Sequence, residues 1–378
     1  MRTRLCRLSG LVFALIMTLT ALAGAQEATT PEPAPKVMRF VQRALAWYPN
    51  SQFELVSNRK FQTPSGSYRF VEITRIYASQ LLTGKPTMLV DESANTIWLG
   101  SVGELPPFSS AGAGPEALQA FLGRFLPEAL KNSMGMKVEV EWDVGPRRPG
   151  ALIPFHLKVD SGYGSYKRQA AVTADGKYLV MASAMPLNED PVAYRKKILA
   201  DSELVVWDTG AGGKTTVDVV EFSDLECPAC KSKWPIVNLV LQKNAGSVRH
   251  GMVSYPLTMI HPWAFRAASA SWCVGLQDPH ALIPFKEIFY GLQREMEVGL
   301  VTGTSIDFIA GHGLDEAAFR ECYLRPPSID AVHLQLSLGQ IMGVTATPTY
   351  YVNGWKIQVP DGSWFPAMVE RLKNGEEP

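Results

Sequence analysis

Val219-Val220-Glu221-Phe222-Ser223-Asp224-Leu225-Glu226-Cys227-Pro228-Ala229-Cys230-Lys231 is the stretch from which the rest of the chain is read. An apolar strand runs into a short acidic loop, and the loop ends in a Cys-Pro-Ala-Cys pair that opens a helix. Two thiols three positions apart at a helix start can close into a small, reducible disulfide. The first gains from the helix dipole and from free backbone N–H groups, which favour thiolate over thiol.

The chain has 378 residues, 36 basic and 36 acidic side chains and 46% hydrophobic content, enough for two or three domains with separate cores. No strongly basic stripe appears, which argues against nucleic acid as a partner. Arg2, Arg4 and Arg7 precede an apolar run from Leu11 to Leu22, followed by Ala23-Gly24-Ala25. That order reads as a secretory signal peptide over residues 1–25. The run is short for a bilayer span of about 20 residues, so cleavage is preferred to an uncleaved anchor. Its removal takes away Cys6 and three arginines, leaving a slightly acidic mature chain with Cys227, Cys230, Cys273 and Cys322. An even cysteine count in an exported chain permits full pairing.

Residues 26–36 are rich in Thr, Pro and Glu and read as a flexible N-terminus. Residues 37–110 and 111–190 read as two copies of one α+β unit, a helix on an antiparallel sheet. The first helix is expected at 37–47, with Met38, Val41 and Leu45 at helical spacing. The second is expected at 115–131, with Leu118, Phe121, Leu122, Phe125, Leu126 and Ala129 forming a stripe. The strands alternate: Val138, Val140 and Trp142 face one way and Glu139, Glu141 and Asp143 the other; Ile153, Phe155, Leu157 and Val159 repeat the pattern. Both copies end alike, Gly103-Glu104-Leu105-Pro106 against Ala184-Met185-Pro186-Leu187. His156 falls on a polar strand face and reads as solvated. This half contains no cysteine and no acid–base cluster. It suits a packing or oligomerisation domain, or a platform for partly folded clients.

A connecting helix is expected at 191–201 and a strand at 202–207. The Gly-rich residues 208–214 lack phosphate-loop spacing and read as a hairpin turn. After Cys230 the helix continues past Pro235, which implies a kink. A strand at 248–255, a helical region over 261–343, a Thr-Pro, a hairpin at Asn353-Gly354 and a last helix complete the chain.

Strand, Cys-x-x-Cys helix, strand, helical block, Thr-Pro, hairpin, helix: residues 202–378 resemble the thioredoxin fold with the helical insertion of the DsbA-like disulfide oxidoreductases. The motif over 221–230 and Gly343-Val344-Thr345-Ala346-Thr347-Pro348-Thr349-Tyr350-Tyr351-Val352-Asn353-Gly354 carry the resemblance, about 120 residues apart. The first half resembles, more weakly, the cystatin-like dimerisation domains of the DsbC and DsbG group, but duplicated. The expected fold class is therefore an α/β thioredoxin-like domain with a helical insertion, preceded by a duplicated α+β region.

The resemblance implies roles. Cys227 is the exposed nucleophile and Cys230 the buried resolving thiol. Lys231 adds positive charge beside them. Glu221 is the buried acid beneath the disulfide, with a raised pKa suited to taking the resolving thiol's proton. Pro348 is a cis-proline facing the disulfide, and Thr347 offers backbone groups to a client strand. His261 lies near the site or caps a helix. Cys273 and Cys322 either pair, closing a loop of about 50 residues worth about 4 kcal/mol, or stay as two buried thiols. Ala229 departs from the family: no His, Tyr or Phe lies between the cysteines, which predicts a weaker oxidant than DsbA.

The expected function is periplasmic thiol–disulfide exchange with unfolded or partly folded exported proteins. A membrane redox partner is implied, a homodimer through the N-terminal region is open, and neither cofactor nor metal is called for. An isomerase or reductase kept reduced by a membrane partner is the competing enzyme, and a chaperone with secondary thiols the competing class. A zinc site needs a second ligand pair, and neither Cys273 nor Cys322 belongs to one.

Overall fold

The computed structural model describes residues 35–63, 65–77, 80–81, 86–107, 115–135, 137–143, 151–208, 217–358 and 360–378. The expected signal peptide, nearly all of the 26–36 segment and the glycine turn at 209–214 lie outside them. The chain forms two compact units, one built from Phe53–Ile76 and Leu81–Asn188, the other mainly from Lys36–Gln52 and Glu189–Pro378.

The first unit holds two antiparallel sheets. One contains β1 (Gln52–Thr63), β2 (Gly66–Tyr77), β3 (Gln80–Leu81), β4 (Thr87–Asp91) and β5 (Thr96–Leu99), the other β6 (Ser101–Glu104), β7 (Val138–Trp142), β8 (Leu152–Asp160), β9 (Ser165–Thr173) and β10 (Tyr178–Met181). The alternation read from the sequence sets the register. Val138, Val140 and Trp142 face Val159, Leu157 and Phe155, while Glu139 faces Lys158. Helix α2 (Pro115–Met134) buries Leu118, Leu122, Leu126 and Leu130 in the core of this second sheet. At about 1.5–3 kcal/mol per buried leucine, that stripe holds the helix down. His156 sits on the polar face, its Nδ1 2.9 Å from Asp143, as a solvated histidine would.

The similar endings of the two halves find an unexpected use. The first half's last strand, β6, pairs with β10 in the second sheet, and the second half's last strand, β11 (Ala184–Pro186), pairs with β5 in the first. The two crossings meet at Gly100, where an added Cβ would come within 2.5 Å of the Met181 carbonyl oxygen. Only a residue without a side chain lets the backbones approach so closely.

Helix α1 (Pro35–Ala44) does not segregate with the first sheet, as one helix per copy would require. It lies with the second unit. Arg195 donates to Ala44 O at 2.6 Å, Trp47 N to Lys356 O at 2.7 Å, and Arg43 pairs with Asp190 at 2.5 Å. Helical spacing shows that a stripe must be buried but not by which partner, and these longer-range polar bonds were invisible to it.

In the second unit α3 (Pro191–Asp201) is N-capped by Asp190, which accepts from Val192 N and Ala193 N. The sheet runs β12 (Val206–Trp207), β14 (Val248–Ser254), β13 (Val217–Ser223), β15 (Thr349–Val352), β16 (Trp355–Ile357). β12 is shorter than the expected strand. β13 and β14 are parallel, joined through α4 (Pro228–Lys243), and β15 and β16 return antiparallel. Between β14 and β15 come α5 (Ala264–Gln277), α6 (Leu282–Gly291), α7 (Val301–Gly311), α8 (Glu316–Cys322) and α9 (Pro326–Ile341); α10 (Phe365–Lys373) closes the unit. Cys273 on α5 and Cys322 on α8 are joined as a disulfide, with Cα atoms 5.8 Å apart.

Candidate active site

β13 is central and buried, so the loop that follows it emerges from the middle of the sheet. Cys227 is the N-cap of α4 and Pro228 its first residue, where a missing N–H costs nothing. Both Cys227 and Cys230 carry free thiols. The Thr347–Pro348 bond is cis, and the Cys227 Sγ donates to Thr347 O at 3.5 Å. The two motifs thus meet. This contact also corrects one expectation: Cys227 is only 6% exposed, because the proline loop lies across it.

The two thiols differ sharply in acidity. The Cys230 S–H pointing at the Cys227 sulfur is the main reason that the Cys227 pKa falls to about 6. Burial opposes this; Thr347 and the N–H groups of Ala229 and Cys230 support it. Cys230 is pushed well above the ordinary thiol value, first by burial, then by Cys227 and Glu221.

Glu221 lies in the middle of β13, fully buried, as its position in the motif suggests. Its charge state does not follow the expectation. Burial alone would push its carboxyl up, but Lys286 at 2.6 Å and His250 at 3.3 Å outweigh that and bring it down to about 2. It is a held carboxylate, not an acid poised to take a proton. His250 is itself held above its usual value: burial opposes protonation, and Asp208, 2.8 Å from its Nδ1, prevails.

The acidic loop is tied on all sides. Asp224 accepts from Glu226 N at 2.9 Å, Leu257 N at 2.8 Å and His261 Nδ1 at 2.6 Å. Burial works against protonation of His261, and Asp224 overcomes it, raising the pKa. Gln293 donates to the carbonyls of Leu225 and Cys227 at 2.8 and 3.1 Å. A cleft of about 920 Å³ opens beside Cys227, lined among others by Glu226, Pro228, Lys231, His261, Trp263 and Gln293. His261 and Lys231 both border this cleft.

Glu226 accepts from Trp263 N at 2.7 Å, and burial raises its pKa to about 7. In the unfolded chain it titrates near 4.5. Between those values the folded chain keeps a proton that the unfolded chain releases, so stability falls as pH rises, and the full penalty applies above about pH 7. Glu226→Gln is expected to raise the thermal midpoint at about pH 8 and leave it nearly unchanged at about pH 4, where the carboxyl is mostly neutral in both states. Thermal unfolding at the two pH values checks this; equal shifts at both would refute it.

Lys286, His250, Asp208, Asp224 and Gln293 were not found from the sequence. One signal was present. Lys286 falls on the apolar stripe of α6, between Leu282, Phe285, Phe289 and Tyr290, where a charge needs a buried partner. Among the described residues no group of three or more His, Cys, Asp or Glu could hold a metal ion, and no helix is long and apolar enough to cross a membrane.

Residues 212–366 match the thioredoxin family. The "Disulfide bond formation protein D" of Bacillus subtilis is 31% identical over 143 residues, 36% of this chain and 63% of that protein. A "Na(+)/H(+) antiporter NhaA 3" of Salinispora tropica is 29% identical over 138 residues, again 36% of this chain but 20% of that protein. This chain thus spans about a fifth of the antiporter and less than two thirds of the Bacillus protein. Among solved structures, ScsC of Proteus mirabilis in a transitional conformation aligns at a TM-score of 0.41 and 16% identity, over 49% of this chain and 80% of that one. The family match falls on the unit that holds the two thiols, the cis Thr347–Pro348 bond and the inserted helices, and residues 212–366 form a thioredoxin-fold domain.

Proposed function

We propose that this chain exchanges disulfides with exported polypeptides through Cys227 and Cys230. The observation that carries the reading is the split acidity of two adjacent thiols against the Thr347 carbonyl. In the oxidising direction, a client thiolate attacks the Cys227 sulfur. The Cys227–Cys230 bond breaks, Cys230 leaves as a thiolate and takes up a proton, and a mixed disulfide remains. A second client thiolate then attacks the client sulfur of that bond. The client disulfide forms, Cys227 departs as a thiolate, and two electrons have passed from client to enzyme. A thiol with pKa about 6 is a good leaving group, which favours this last step.

The arginine-led N-terminus supports export to the periplasm, where disulfide-bearing clients and a membrane partner that resets the thiols would be met. Thr347 beside the cis bond and Pro348 itself serve as the client-facing backbone, with the cleft at Pro228 receiving the flanking residues. The N-terminal unit, which has no cysteine, acts as a platform for clients or for a second copy of the chain; sedimentation equilibrium distinguishes these uses.

The test is mixed-disulfide trapping. Reduced Cys230→Ser is expected to attack a disulfide of a scrambled client through Cys227, release one client thiolate and accumulate the mixed disulfide. The parent chain is expected to reshuffle that client when reduced and to oxidise a reduced client when its own Cys227–Cys230 bond is formed. A Cys227→Ser chain that still processed the client would point to a binding module in which the thiols are secondary. Ala229 offers no donor between the cysteines, so the potential measured against glutathione should be less oxidising than that of DsbA. A Cys227 pKa near 3.5, as DsbA has, would contradict this.

A further inference from the structure

The helical insertion places one buried amine beneath the redox centre. Lys286 on α6 is 0% exposed. Its Nζ lies 2.6 Å from Glu221 Oε2 and 3.5 Å from the centroid of the Trp234 ring. The same Glu221 oxygen is 3.3 Å from His250 Nε2, and the other nitrogen of that ring is 2.8 Å from both oxygens of Asp208. Lys286, Glu221, His250 and Asp208 therefore form a buried chain of alternating sign that sums to zero when all four are ionised. An isolated buried charge is costly, and in an alternating chain each charge has an opposite neighbour to offset it. Without Lys286, Glu221 would share with Asp208 a single imidazole.

The other groups around Glu221 are neutral acids. Tyr350 on β15 and Tyr290 on α6 are both held protonated, first by burial, with Glu221 and Cys230 adding to the effect. Cys230 on α4 is the remaining one, and Glu221 disfavours its thiolate.

We propose that Lys286 is a positioning residue, which holds Glu221 as a fixed carboxylate beneath Cys230 and so lets the helical insertion set which of the two thiols carries the charge. The proposal rests on the reading of the chain as a disulfide exchanger. It changes the path of one proton. When Cys230 resolves a mixed disulfide, its sulfur attacks Cys227 Sγ, the Cys227–client bond breaks, and the electron pair leaves on the client sulfur. The Cys230 proton then goes to that departing sulfur or to solvent at the cleft, not to Glu221.

The experiment follows the Glu221 carboxyl by ¹³C NMR in the reduced full chain, assigned with Glu221→Gln. The resonance of the parent chain is expected to stay at its carboxylate position from about pH 5 to pH 9. In Lys286→Met a titration step should appear, its midpoint raised by at least about two pH units, with a matching second step in Cys227 thiolate absorbance. Lys286→Arg should restore the flat profile. A Glu221 that titrates in the parent chain between those limits overturns the proposal, as does a flat profile in Lys286→Met. The parent titration decides the matter even if Lys286→Met fails to fold. Client oxidation by the parent chain is run beside it. Exchange with a titrating Glu221 sinks this proposal alone, whereas no exchange with a flat Glu221 sinks the functional reading and leaves the Lys286 pairing standing.

Discussion

Cys227→Ser is expected to lower the rate of disulfide exchange by about 10⁴-fold or more, as removal of a nucleophile does elsewhere. The Cys227 pKa of about 6 makes it roughly nine-tenths thiolate at pH 7, against about 3% for an ordinary thiol of pKa 8.5. That is a gain of about thirtyfold in the reactive form. Intrinsic nucleophilicity falls with pKa, with a Brønsted slope of about 0.4–0.5, which takes back about ten- to eighteenfold. The net benefit in attack is only a few-fold, so the depressed pKa helps more when Cys227 departs than when it attacks. The alkylation rate of the reduced chain should therefore rise with pH to a midpoint near 6 and then level off. Since the Cys230 S–H is the largest stabiliser of the thiolate, Cys230→Ala should move that midpoint up. A midpoint near 8.5 in the parent chain would rule out a Cys227 thiolate stabilised by Cys230 and the start of α4.

The second large effect concerns stability. Removing the Cys273–Cys322 disulfide as Cys273→Ala/Cys322→Ala is expected to cost about 4 kcal/mol, the chain-entropy value for a sequence separation of 49. The double substitution avoids stranding a reactive thiol. Cys273 is buried in the same apolar core as Trp263, Phe285 and Phe289, and the smaller alanine adds a packing loss to the entropic one. With a urea m value of about 2–3 kcal/mol/M, the midpoint of the C-terminal unit should fall by about 1.3–2 M. Client oxidation measured well below that midpoint should persist, because the exchange proposed above uses Cys227 and Cys230 and not this disulfide. A shift under about 0.3 M would mean that the unfolded insertion is already compact without the bond.

The thioredoxin-like half was legible because its signals are local. A buried strand, a helix opened by Cys-Pro-Ala-Cys and a Thr-Pro before a hairpin each report on a few adjacent residues. The site was legible only where it is local too. Cys227, Cys230, Thr347 and Pro348 came from motifs. The charge on Glu221 did not, because it is set by Lys286 and His250, 65 and 29 positions away. Burial read from a strand pattern predicts a raised carboxyl pKa; only the partners reverse the sign. The same limit explains α1. Its apolar stripe is plain in the sequence, whereas the bonds from Arg195 and Trp47 that tie it to the C-terminal unit join residues far apart in the chain. In the first unit, period-two alternation predicted strands and faces well but said nothing of the trade of β6 and β11, since alternation fixes which face is apolar and not which neighbour a strand chooses.

That trade at the Gly100–Ala182 crossing makes the two sheet-forming halves inseparable. Either half alone would be left with one orphaned strand and one unfilled edge, and could complete itself only by swapping strands with another molecule. The tandem chain is in effect a domain swap carried out within one polypeptide. The pair must fold as one cooperative step, and a bulky residue at Gly100 would prise both sheets apart at once.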